Sequence, residues 1–239
     1  MNIAIPLTTS IVSFVFALTV LDQYLERRRS YQLLWTVGLM LYFLASLMQF
    51  VREAFQISEP VFRTWYFTGA MLVPVYLGMG TMYLVARPKA AHGLMVVVAV
   101  VTVVVGVLVF ALPLEKDLAT LSADEVLTGR GYIPVGLRLT AAAMNMLGTL
   151  AFVGGALYSA WVFWRRRTMG YRFLGTTLIA VGGLTSAAGG ALEGIGLPEP
   201  HALALLVGVI IIYIGFMRSS EVFTLYQVPF RRRRREAGS

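Results

Sequence analysis

Seven long apolar runs divide this chain, and no water-soluble fold can hide them. They fall at about 3–25, 31–55, 62–86, 92–113, 137–164, 172–195 and 201–218. About 20 apolar residues are enough to cross a bilayer as a helix, and a helix satisfies its own backbone hydrogen bonds in lipid. The runs are continuous rather than alternating, which excludes a transmembrane strand barrel. The expected fold class is all-α: a polytopic membrane bundle of seven transmembrane helices. One domain over residues 1–218 and a polybasic tail over 219–239 account for the whole chain. With 58 % apolar and only 13 % charged residues, there is no room for a separate soluble domain. The first run is read as a retained span. Met1 and Asn2 give it no basic leader, and no small-residue cleavage site precedes Asp22–Arg29.

The connectors say which way round the bundle sits. Arg27, Arg28 and Arg29 fill the first, Arg87 and Lys89 the third, and Arg165, Arg166, Arg167 and Arg172 the fifth, while Arg218 and Arg231–Arg235 follow the last span. These are fifteen cationic residues on one side against five on the other: Arg52, Arg63, Lys116, Arg130 and Arg138. The positive-inside rule puts the fifteen in the cytoplasm. The N-terminus is then outside, the C-terminus inside, and the protein a multi-pass resident of the inner or plasma membrane. The net charge of +8 reads as topology and contact with anionic lipid headgroups, not as nucleic-acid binding. The tail block Arg231, Arg232, Arg233, Arg234 and Arg235 is the headgroup candidate. The longest loop, about 114–136, lies on the outer side as an ordered cap or a lid.

Several chemistries are excluded. The chain has no cysteine and two histidines, His92 and His201. Those two are expected at opposite membrane faces, so no metal or haem can use both, and no metal site or cofactor is expected. No span interior carries a lysine, so a retinal Schiff base has no attachment point. No serine sits in a nucleophile elbow. The glycine-rich AAGGALEGIG lies inside a span, where glycines serve packing rather than phosphate binding. A non-enzymatic protein follows.

Polar residues within spans are the functional candidates, because lipid makes them expensive. Gln49, Arg52, Glu53 and Gln56 share one face of the second span through i, i+3, i+4 and i+7 spacing. Asn145 in the fifth span and Glu193 near the outer end of the sixth complete a proposed outward-facing ligand set: Gln49, Arg52, Glu53, Asn145 and Glu193. The competing reading is an interhelical network that only fixes the bundle. Asp22 and Gln23 sit near the inner end of the first span and read as interfacial. Pro74, in VPVYLGMG, marks a kink or hinge. The fourth span, apolar all round, suits lipid contact on most faces. The sixth carries Gly175, Gly182, Gly183, Gly189, Gly190, Gly194 and Gly196 and is expected to be buried in the bundle or to flex.

The segments LERRRSYQLLWTVGLMLY, WYFTGAMLVPVYLGMGTMYL and GGALYSAWVFWRRR resemble a group of bacterial seven-helix membrane proteins without assigned function, over nearly the whole chain. More distantly, the chain resembles the seven-helix sensory region of bacterial histidine kinases. That resemblance implies a sensing module whose output lies in a separate membrane or signalling protein. It carries over no functional residue. The expected function is therefore a small-molecule or lipid binding and sensing module, or a membrane-partner subunit. A transporter or channel for a small solute is the alternative, and it needs a polar path through the membrane centre. The expected partners are membrane lipids and such a protein, with no nucleic acid and an open oligomeric state.

Overall fold

The computed structural model describes residues 3–55, 57–118, 129–166, 170–194 and 199–219, with Arg166, Leu192, Glu193, Gly194, Glu199 and Pro200 described as backbone only. Its helices are α1 (Ala4–Arg27), α2 (Ser30–Ala54), α3 (Glu59–Trp65), α4 (Val73–Val85), α5 (Pro88–Ala111), α6 (Val135–Arg166), α7 (Gly170–Gly194) and α8 (Glu199–Ser219). A π-helical segment, Tyr66–Leu72, joins α3 to α4, and the three together form one span, Glu59–Val85. Seven spans are thus long and apolar enough to cross a membrane, and no strand occurs among the described residues. Proline opens several of these helices: Pro60 in α3, Pro74 in α4 and Pro88 in α5 all lie in the first turn. For Pro60 and Pro88 the missing N–H would have had no partner anyway, whereas Pro74 follows directly on the π-helical segment.

Six of the seven spans form a closed ring, in the order first, second, third, fifth, sixth, seventh and back to the first. Neighbours are held in register by specific pairs. Phe14 meets Phe43 between α1 and α2. Trp35 on α2 lies over Gly80 on α4, and Ala45 over Gly69. The ring closes where α8 meets α1: Phe16 stacks on Tyr213 at 4.7 Å, and the Tyr213 hydroxyl is 3.0 Å from that of Thr19. The centre is filled by side chains from all six spans, including Phe16, Trp35, Leu77, Phe152, Ile179 and Phe216. Trp35 touches both Phe152 and Phe216 across it.

Glycines at seven-residue spacing set the closest approaches. On α7, Gly175, Gly182 and Gly189 face Gly215, Gly208 and Ala204 of the antiparallel α8. A Cβ on Gly182 would lie 2.7 Å from the Gly208 carbonyl oxygen, and one on Gly175 2.7 Å from that of Gly215. The same device joins α6 to the third span: Gly148 abuts Pro74 and Val75, and Gly155 abuts Thr81. A heptad stripe keeps one face toward the partner, and small residues let the backbones touch, which in lipid is the main source of helix attraction. The sixth span is therefore buried along one stripe only. Val181 and Leu184, on its other faces, are 45 % and 51 % exposed. The expected burial of this span is met along that one seam and not on its other faces.

α5 stands outside the ring. Only 11 % of its apolar window is buried, against 56 % for the third span. Val96, Val100, Val103 and Val107 face outward. Its last turn is fastened by Arg63, whose buried guanidinium donates to the Val109 carbonyl oxygen and pairs with Glu59, 2.8 Å from Nε. A cation suits that position, since the last carbonyls of a helix lack intrahelical partners. The flanks of the following loop pack down on this end. Tyr132 lies against Phe62, Ile133 is fully buried, and the Glu115 N–H donates to the Tyr132 carbonyl at 3.0 Å. Gly131, at φ +81°, makes the turn that allows it. The central part of this loop lies outside the described residues.

Candidate functional site

At the end opposite the Arg27–Arg29 connector, α2 terminates in polar residues. One helical turn separates Gln49 from Glu53, so their side chains meet on one face. Gln49 and Arg52 are buried, at 9 % and 6 % exposure. Both oxygens of the Glu53 carboxylate are shut off from solvent and meet no hydrogen-bond partner, and the Gln49 amide and the Arg52 charge are its polar neighbours on the same helix. Three of the five candidate residues are thereby brought together. A carboxylate, a guanidinium and an amide offer both signs of charge and both directions of hydrogen bonding in a low-dielectric setting. Gln56, expected on the same face, lies outside the described residues.

Asn145 has a different setting. Pro74 contributes no N–H to the helix ladder, and the carbonyl four residues before it, on Ala70, loses its ordinary α-helical donor. The Asn145 amide on α6 donates to that oxygen at 3.4 Å, while its own Oδ1 accepts from Thr149. The backbone accommodates the interruption as a π-helix: the Val73 N–H reaches back five residues to the Thr68 carbonyl. Pro74 thus lies just past a widened stretch of helix, wedged against Gly148. The third span stands between α2 and α6, which keeps Asn145 apart from the α2 trio. Glu193 is in the last turn of α7, and its side chain lies outside the described residues, as do Arg231–Arg235.

Sequence reasoning missed two polar features. Arg63 reads as one more outer-face cation, but it fastens α5, and its partner is a backbone carbonyl that no side-chain pattern reveals. Gln23 reads as interfacial, yet it is 7 % exposed and its Oε1 accepts from Gln32 at 3.5 Å. Gln23 Nε2, Gln32 Oε1 and the Trp35 Nε1 on the next turn find no protein partner. Such buried polar atoms ordinarily have one. The available signal was spacing: Gln32, Thr36 and Leu39 share the buried face of α2.

His92 and His201 start α5 and α8 at opposite ends of the bundle, and no metal-binding group of three side chains occurs among the described residues. Compared with protein-family models, with curated proteins and with solved structures, the chain matches none.

Proposed function

We propose that this integral membrane protein is a non-enzymatic module that binds a small or lipid-like amphiphile at the end where α2 terminates, and passes that state to a membrane or signalling partner. Positive-inside asymmetry orients this end outward, with the N-terminus outside and the C-terminus in the cytoplasm of an inner or plasma membrane. The observation that supports the reading is the Gln49–Arg52–Glu53 trio. A buried guanidinium and a solvent-shielded carboxylate at the end of a membrane helix are costly in lipid, and binding sites are where such groups are kept. Transport is the less supported reading, because aromatic side chains fill the axis of the ring.

The test is thermal unfolding of the purified chain in neutral detergent with fatty acids, lysophospholipids and quinones. One class raises the unfolding temperature of the wild-type protein. Arg52→Ala and Glu193→Ala fold but lose that protection. Protection that persists in both variants, or none from any class, overturns the reading.

A further inference from the structure

A second site lies at the arginine-rich end, where four helix termini converge. The end of α1, the start of α2, the end of α4 and the start of α5 border an open cleft of about 730 Å³, lined by Arg27, Arg29, Ser30, Tyr31, Tyr83, Leu84, Pro88 and His92. That volume is within the range of small-molecule sites. No carboxylate lines it.

The geometry keeps the cationic groups uncommitted. Connector one is only two residues long, and Arg28 completes it in the left-handed conformation, φ +52°, with its N–H on the Tyr24 carbonyl and its guanidinium over the Tyr24 ring. Arg28 is thus turned aside. Arg27 and Arg29, on either side of it, border the cleft, and their guanidinium groups make no hydrogen bond or ion pair among the described residues. The Tyr31 and Tyr83 hydroxyls likewise have none. His92 is held in place: its ring packs edge-on to Tyr83 at 5.1 Å, and its Nδ1 donates to the Pro88 carbonyl oxygen at 2.6 Å. A carbonyl can only accept, so Nδ1 carries the hydrogen and His92 serves to hold the Tyr83 ring at the cleft wall. The first N–H groups of α2 and α5 add positive potential, and neither helix has a side-chain cap.

We propose that this cleft binds a phosphate group, with Arg27 and Arg29 as its charged contacts and the Tyr31 and Tyr83 hydroxyls as its hydrogen-bond donors. Two forked guanidinium donors suit the oxygens of a phosphate. The phosphate belongs to an anionic phospholipid headgroup or to a soluble phosphate ester. The first fits the position at the membrane surface, where Leu84, half exposed, offers the cleft an apolar edge.

The experiment is equilibrium binding to the full chain in neutral detergent, using dioctanoyl phosphatidylglycerol, dioctanoyl phosphatidylcholine, dioctanoylglycerol and glycerol phosphate. Phosphatidylglycerol binds more tightly than the zwitterionic or uncharged lipid. Arg27→Gln and Arg29→Gln each weaken it about tenfold, while Arg165→Gln, which removes an equal charge from the same end, leaves it unchanged. Both cleft variants keep the unliganded unfolding temperature, since both side chains are exposed and neither guanidinium is in a hydrogen bond or ion pair among the described residues. Glycerol phosphate that binds as tightly and with the same variant pattern assigns the site to a soluble ester; a lipid-only response assigns it to a headgroup. No binding by either probe overturns the proposal. So does an equal loss in Arg165→Gln, which reduces the effect to diffuse surface charge.

Discussion

α5 and α7 are both apolar helices of similar length, yet they live differently. α5 is the more hydrophobic, but only 11 % of its apolar window is buried, against 33 % for α7. In water the order would be reversed, because burial follows hydrophobicity. In a bilayer the lipid is as apolar as valine, so hydrophobicity inserts a helix but does not pack it. α7 packs because glycines recur on one face and meet glycines on α8. α5 has valines there, and is held instead by a polar fastener at one end, Arg63 on the Val109 carbonyl.

That contrast breaks most severely at a glycine seam. A Cβ on Gly148 would lie 2.4–2.6 Å from backbone atoms of Pro74 and Val75, and backbone cannot rotate away. Gly148→Ala is expected to cost about 3 kcal/mol or more, seen as early unfolding or loss of monodisperse protein on extraction. An unchanged unfolding midpoint would remove this register between α6 and the third span. Next is the fastener. Arg63→Met leaves the Val109 carbonyl without its donor and is expected to cost about 1–2 kcal/mol. Hydrogen exchange should rise in the last turn of α5 and stay flat in α7 and α8. The smallest effect has the opposite sign. Gly154, on the same helix as Gly148, has open space at its Cβ, so Gly154→Ala is expected to stabilise by about 0.5–1 kcal/mol. A loss there would mean that α6 packs against something on that face.

The seven spans were legible because hydropathy reports insertion, and insertion is what the apolar runs encode. The lipid-facing character of α5 was legible for the same reason: its run of valines is apolar on every face. The ring order was not, because it depends on pairings across long stretches of sequence. Gly175, Gly182 and Gly189 stand at heptad spacing in the sequence, and so do Gly208 and Gly215; what the sequence hides is that these two stripes face each other. Pro74 was readable as an interruption, while the answering amide on Asn145 lies 75 residues from Ala70. Of the candidate site, Gln49, Arg52 and Glu53 were legible as one helical face because local spacing alone creates it. The cleft at the other end was not. Its arginines read as topology signals, and Tyr83 and His92 reach them only through the fold.

The closure of the ring also has a timetable. Thr19 waits for Tyr213, 194 residues later in the chain. At about 5–20 residues per second of synthesis, that is an interval of about 10–40 s. During it the face of α1 that carries Phe16 and Val20 has its hairpin partner α2 but not its neighbour α8. α8 is the helix that seals α1, so the nascent chain passes through a period as an open crescent, its unsealed flank in contact with whatever the membrane supplies.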